Sequence, residues 1–399
     1  MQTRENLMKI GYFISHFPYI DLINDTNYNK EYAHGGTEIA AYQLARNISK
    51  IDDVDIFTTS INSKDSHENS ENMLIHRYGT VLKIASANLS LKILYKPLSC
   101  KIDIAHAHYN MPYSDYSALR YAKKNKVPFV VTYHADAQES GGNLIRNWAQ
   151  IIYNRSILKN VLNGADVIIA TSKSYINESK FLKNYKDKIE VIPNGINLEE
   201  FDIDLSKEEC RDKLGLPHDK KIILFFGNIV AYKGPHILLK SFLKVKNQFK
   251  DVKLVFAGRG EMQEELTELA AKLGIKNDVL FTGYVDEKLK PFYYKSADMF
   301  CLPSITMAEA FGIVNLEAMA CGIPVISSKL GGIPDVVIDK ETGLLVKPED
   351  DETLAESLLF LLENEDIAQK MGKNGKKKVE EYSWIKIAEK THEVYEKLI

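Results

Sequence analysis

Uninterrupted apolar runs such as Ile222-Ile223-Leu224-Phe225-Phe226 and Val167-Ile168-Ile169-Ala170 constrain this chain most. A strand that is apolar on both sides must be covered on both sides, which is the situation of a parallel sheet sandwiched between helices. Such runs alternate with helical patterns from end to end. In the first half the pattern predicts strands near Lys9–Ser15, Val54–Thr58, Leu74–Tyr78, Ile102–His108, Phe129–His134, Asp166–Thr171 and Glu190–Ile192. Helices are expected at Thr37–Ser49, Val81–Tyr95, Ser114–Lys124, Leu144–Leu162 and Ser174–Leu182. The second half repeats the scheme, with strands near Ile222–Phe226, Lys253–Ala257, Val279–Thr282, Met299–Leu302 and Pro324–Ile326. Its helices are expected at Pro235–Gln248, Gln263–Leu273, Glu287–Tyr294, Gly312–Ala320 and Glu352–Leu362. Two successive arrays of this kind mean two doubly wound α/β domains.

The length of 399 residues suits two domains, each large enough to bury roughly 70% of its unfolded surface. The boundary is expected in Ile192-Pro193-Asn194-Gly195-Ile196-Asn197, where Pro and Gly end a strand, giving domains 1–199 and 200–383. A net charge of −3 without a clustered basic face points away from nucleic acid. No apolar run approaches the ~18 residues that span a bilayer. The four cysteines show no CxxC or metal-ligand spacing, and are expected to be reduced thiols of a cytoplasmic protein. The stretch Thr80–Lys101 mixes leucines and isoleucines with lysines. It fits either a helix packed on its own sheet or peripheral contact with anionic lipid at the inner face of a membrane. Asn62–Glu71, with nothing apolar except the residues that flank it, is expected to be a mobile loop.

The chemistry is concentrated in Glu309-Ala310-Phe311-Gly312-Ile313-Val314-Asn315-Leu316-Glu317. One carboxylate precedes a helix, a second lies inside it, and Gly312 stands where the backbone turns in. A helix start offers unpaired N–H groups and a positive dipole end, which suit a phosphate. From Gly312 to Glu317 the axis rises by roughly 7.5 Å, about the reach from a pyrophosphate to a neighbouring ribose. The spacing alone is weak, since Glu200 and Glu208 also stand eight apart. The whole string resembles the signature of family 4 glycosyltransferases, retaining enzymes of the GT-B type. That resemblance implies two Rossmann-like domains facing each other across a cleft, with a C-terminal helix, residues 384–399, packed back on the first. It also implies a nucleoside-diphosphate sugar donor held by the second domain and a hydroxyl-bearing acceptor on the side of the first. No cofactor and no metal are called for.

Further motifs fall in the order this family requires. Gly35-Gly36-Thr37 opens a helix after a long loop and resembles the family's glycine loop, facing diphosphate and acceptor; an ordinary turn with Thr37 as cap is the plain alternative. His134 ends a strand at the carboxyl edge where open sheets bind ligands, and by resemblance contacts the transferred hexose. Asp136 follows on the acceptor side. His106 and His108 share one face of a strand; a core or rim position suits both, and His108 is the better functional candidate. Lys233, in Gly227-Asn228-Ile229-Val230-Ala231-Tyr232-Lys233-Gly234-Pro235, is placed as a point charge on the diphosphate. Asn228 departs from the arginine usual at that point of the family, and a neutral amide does not replace a bidentate guanidinium. Arg259, in Gly258-Arg259-Gly260, is the candidate to compensate; without a third glycine this segment is no dinucleotide fingerprint. Asn194 joins the donor side. Asp53-Val54-Asp55 mimics a metal-binding DxD but opens its strand, so both aspartates are expected to be solvated turn residues.

By resemblance Glu309, His134 and Lys233 form the catalytic set. Glu317 takes the ribose, and the amides of Phe311, Gly312, Ile313 and Val314 cradle the departing diphosphate. Domain closure about Pro193–Asn197 would exclude water. Uridine is the first expected donor base and guanosine the second, on family frequency. A nucleotide-sugar-binding protein without turnover and an epimerase on the same two-domain plan are the alternatives.

Overall fold

The computed structural model describes residues 7–22, 36–84, 87–109, 113–136, 148 and 150–399. The chain divides into two compact units, Met1–Gly195 with Trp384–Ile399, and Ile196–Ser383.

The first unit is built on strands β1 (Lys9–Phe13), β2 (Asp53–Thr59), β3 (Ser66–Ser70), β4 (Met73–Tyr78), β5 (Leu82–Ile84), β6 (Ala87–Leu89), β7 (Ile104–Tyr109), β8 (Phe129–Tyr133), β9 (Val167–Ala170) and β10 (Ile189–Val191). Eight of them form one sheet in the order β10-β9-β8-β7-β1-β2-β4-β3. All its pairs are parallel except the edge pair β3·β4, which is antiparallel. β1, β7 and β8 are buried along almost their whole length because helices cover both faces. Helix α1 (Gly36–Ile48) follows β1, and α2 (Ser114–Asn125) follows β7. The C-terminal helix Trp384–Glu396 places Trp384, Ile387, Ala388, Val394 and Tyr395 in the core shared with Ile10, Leu44 and Ile56.

The second unit contains strands β11 (Lys221–Phe226), β12 (Val252–Ala257), β13 (Val279–Gly283), β14 (Met299–Leu302), β15 (Val325–Ser328) and β16 (Gly343–Val346). They pair in parallel in the order β13-β12-β11-β14-β15-β16. Helix α3 (Pro235–Gln248) starts at a proline, whose missing N–H costs nothing there. Helix α4 (Lys290–Ser296) precedes β14, and α5 (Ile313–Ala320) follows it. The doubly wound α/β class expected from the sequence is the class observed.

Several local expectations are corrected. Among the described residues of Val81–Tyr95 no α-helix forms: β5 and β6 pair as an antiparallel hairpin, followed by 3-10 turns at Leu91–Leu94 and Lys96–Ser99. The apolar side chains of that region alternate at the period of a strand, and Ser90 lies between the two motifs. Asn62–Glu71 is not a free loop, because β3 pairs with β4 by backbone hydrogen bonds that need no apolar side chains. β16 and the helix Glu365–Lys378 were not expected. Among the described residues no helix is long and apolar enough to cross a membrane.

Gly195 touches Trp384 so closely that a Cβ there would meet the indole at 2.5 Å. Trp384→Ala is expected to destabilise the first unit by about 3–5 kcal/mol, read as a lower urea midpoint at unchanged slope; a loss below about 1 kcal/mol would contradict this packing.

Candidate active site

The sheet of the second unit reverses its strand order between β11 and β14, so the segments leaving their carboxyl ends bound the place where such sheets receive ligands. The two segments are stitched together. Ile305 N donates to Tyr232 O at 2.8 Å, and a Cβ on Gly234 would lie 2.0 Å from Pro303 O. A third segment joins from β12, where a Cβ on Gly258 would lie 2.0 Å from Gly227 O. The glycines flanking Arg259 are thus explained by backbone approach between loops. Arg259 itself is half-buried, its guanidinium 5.4 Å from the Tyr284 ring centre, while Asn228 is exposed.

The β14 segment ends at Gly312, which enters α5 at φ 73° and ψ 55°, in the left-handed region. A Cβ there would also meet Asn315 Nδ2 at 2.6 Å, so both backbone angle and space call for glycine. No side chain caps this helix. Ile313 and Val314 carry its first N–H groups and are half-buried, whereas Phe311 is buried against Tyr382. Asn315 is buried and its Oδ1 accepts from Ser327 Oγ at 2.7 Å. The helix start is therefore held from behind by Asn315 and Phe311, and no side-chain cap occupies its first N–H groups.

Two ion pairs flank it. Lys233 Nζ lies 3.2 Å from Glu309 Oε2, with both side chains nearly buried. Burial opposes the Lys233 charge, but Glu309 and Tyr232 outweigh it and raise its pKa above the ordinary lysine value. One turn into α5, Glu317 Oε1 accepts from Lys290 Nζ at 2.9 Å and Oε2 from Tyr294 OH at 2.7 Å. Lys290 also pairs with Glu287 at 2.6 Å; burial works against its charge, and the two carboxylates together overcome that and raise its pKa. Lys290 and Tyr294 were missed in the sequence. They stand four apart in a segment expected to be helical, a spacing that places both on one face.

In the first unit the reversal falls between β1 and β7. A chain of buried rings runs along the carboxyl half of β7. His106 Nδ1 bonds Tyr395 OH at 2.6 Å and its Nε2 bonds Thr132 Oγ1 at 2.7 Å. His108 Nδ1 meets His134 Nε2 at 3.1 Å, and His108 Nε2 is buried without a partner. Burial drives the pKa of His134 down to about 4. Burial and His134 together take His106 to about 3. His108 is lowered well below the usual range by burial and its two neighbours.

Gly36 is the exposed first residue of α1, and Thr37 beside it is half-buried; Gly35 lies outside the described residues. Asn194 is buried. Asp136 is an anchor: its carboxylate accepts from Tyr133 OH at 2.9 Å, Ser179 Oγ at 2.6 Å and Lys180 N at 2.9 Å. Asp53 is exposed as expected, but Asp55 is buried inside β2, which corrects the reading of both as solvated.

Residues 34–200 match the family described as Glycosyltransferase Family 4, and residues 206–378 the one described as Glycosyl transferases group 1. An uncharacterised glycosyltransferase of Methanocaldococcus jannaschii is 34% identical over 74% of this chain and 75% of its own. A D-rhamnosyltransferase of Pseudomonas aeruginosa is 32% identical over 75% of each. The fold matches that of a sucrose-phosphate synthase from Thermosynechococcus elongatus, with a TM-score of 0.74 over 98% of this chain and 99% of that one at 24% identity. It also matches Anabaena HepE, crystallised with UDP and glucose, with a TM-score of 0.73 over 98% and 99% at 18% identity. The chain belongs to the family 4 glycosyltransferases. It is a sugar-transferring enzyme with the GT-B type of fold.

The histidine chain has a consequence for stability. Unfolded histidines titrate near pH 6.5 and these stay neutral when folded, so the unfolded state binds more protons below that point. Stability of the first unit is expected to be full above about pH 6.5 and to fall as pH drops towards 4, with a shallower slope in His134→Gln. Urea unfolding at about pH 7, 6 and 5 checks this; equal slopes in the two proteins would contradict it.

Proposed function

We propose that the enzyme moves a hexose-type sugar, with retention, from a nucleoside-diphosphate sugar to a hydroxyl of a glycan, lipid-linked or small-molecule acceptor. The observation that carries this reading is the uncapped start of α5 at Gly312, flanked by the Lys233–Glu309 pair. The amides of Phe311, Gly312, Ile313 and Val314 receive the diphosphate, and Lys233, with three N–H donors, turns from Glu309 towards it. Charge on the leaving group is then met by the chain itself, which is why we read the transfer as metal-independent. Glu309, released from part of its ion pair, faces the hexose and steadies positive charge at the anomeric carbon. Glu317 takes the ribose: each of its oxygens has accepted one donor, and a carboxylate offers about four lone-pair sites.

On the first unit we assign His134 to the transferred sugar, and Gly35, Gly36, Thr37 and His108 to the glycine-loop and acceptor side. Asp136 serves there by holding its turn. Asn228, Arg259 and Asn194 remain donor-side candidates. Uridine is the favoured base and guanosine the next; HepE, crystallised with UDP and with UDP-glucose, supports this order. A mannosyltransferase of an O-antigen chain in Escherichia coli, 29% identical, supports a glycan acceptor. We place the enzyme in the cytoplasm. Contact with an anionic bilayer would use Val81, Leu82, Leu91 and Tyr95, all exposed; equal retention on anionic and neutral vesicles would exclude it.

Thermal unfolding with UDP, GDP and ADP tests the donor site. The correct diphosphate at about 100 times its Kd is expected to add about 2.7 kcal/mol. Glu309→Ala should keep that response while transfer falls by about 10²–10³-fold. Silence towards all three nucleotides, or undiminished transfer by the variant, would refute the assignment.

A further inference from the structure

Away from these residues, the first unit gathers a histidine, a cysteine and an aspartate on one side of its sheet. Asp55 and Phe57 are two apart on β2 and share a face, and Phe57 is the register partner of His76 on β4. The Phe57 and His76 rings stack with centres 5.0 Å apart and planes 15° apart. His76 Nδ1 lies 3.0 Å from Nδ1 of His67, its cross-strand partner on β3. These two contacts fix the imidazole and aim Nε2 at Asp55 Oδ2, 3.5 Å away. That Nε2 is buried and makes no hydrogen bond, on a residue only 8% exposed. Cys100, which closes the 3-10 turn before β7, completes the group. The donor atoms of Asp55, His76 and Cys100 lie within 4.8 Å of one another.

We propose that Asp55, His76 and Cys100 bind a divalent cation of the zinc type, with a water or a fourth donor completing its shell. Thiolate, imidazole and carboxylate together are the ligand set that such an ion selects. The geometry needs modest adjustment: a tetrahedral ion with bonds of about 2.0–2.3 Å holds its donors roughly 3.5 Å apart, so an inward movement of roughly 1 Å suffices. Cys100, at the end of a turn, is the donor freest to move. A metal-bound histidine normally gives its other N–H to an acceptor, and His67 Nδ1 stands there to receive it. A thiol-activating relay would instead set aspartate and cysteine on opposite ring nitrogens, and here His67 occupies Nδ1. Without metal, Lys9 holds the place, its Nζ 3.2 Å from Asp55 Oδ2; its side chain is 37% exposed, so it can withdraw to solvent. Asp55 lies in the amino half of β2, away from the carboxyl edge where the sheet receives ligands, which gives the ion a structural role. The proposal is independent of the donor assignment above.

Zinc chloride titrated calorimetrically into the full chain, stripped with chelator, should show one saturable site. Cobalt(II) in its place should give a thiolate-to-metal charge-transfer band. Cys100→Ser and His76→Gln are each expected to weaken zinc by about tenfold or more, Cys100→Ser to remove the cobalt band, and Lys9→Met to tighten binding. Unfolding midpoints in chelator verify that the variants are folded, and the cobalt band of the unaltered chain does not depend on them. Absence of a saturable site, or affinity and spectrum unchanged by both ligand substitutions, would mean an adventitious ion only and would overturn the proposal.

Discussion

Burial of parallel strands on both faces is the constraint from which each unit follows. Strands such as Ile222–Phe226 cannot leave a face to water, so helices must pass to both sides of the sheet, and the strand order must reverse where the winding changes direction. The reversal falls between β1 and β7 in the first unit and between β11 and β14 in the second. His108, His134 and Gly36 stand at the carboxyl ends of one sheet, and Lys233, Glu309 and Gly312 at those of the other. Their positions are consequences of winding, and only the residue types at those ends are particular to this enzyme.

The second unit prepares its electrostatics in advance. A nearly buried lysine or glutamate is costly alone, and each here has its partner: Lys233 with Glu309, and Glu317 with Lys290 and Tyr294. Each charge is thus compensated in place before any ligand arrives. The first unit solves the related problem of buried polar groups without charge. His106, His108 and His134 are kept neutral by burial and bonded to Thr132, Tyr395 and one another. Tyr395 brings the C-terminal helix into that network, and its OH also contacts Tyr12 OH on β1 at 2.8 Å.

Much of this was legible in the sequence because it is written locally. Continuous apolar runs gave β8, β9, β11 and β14 within a residue or two, and Gly312 announced a helix start that needs a left-handed backbone. What escaped depends on contacts distant in sequence. β3 has no apolar signature and exists only because β4 offers it an edge. The β5–β6 hairpin was hidden by leucines and lysines whose composition also suits a helix. The burial of Asp55 comes from Lys9 and His76, on two other strands, and the grip of Lys290 and Tyr294 on Glu317 crosses from α4 to α5.

In the proposed donor site the amides at the start of α5 receive the diphosphate. Amide resonances of Ile313 and Val314, followed by transverse-relaxation-optimised NMR during UDP addition, test it most directly. Large shifts at these two amides are expected, saturating with binding and much smaller with uridine alone. UDP binding that leaves Ile313 and Val314 unmoved while shifting residues elsewhere would contradict it.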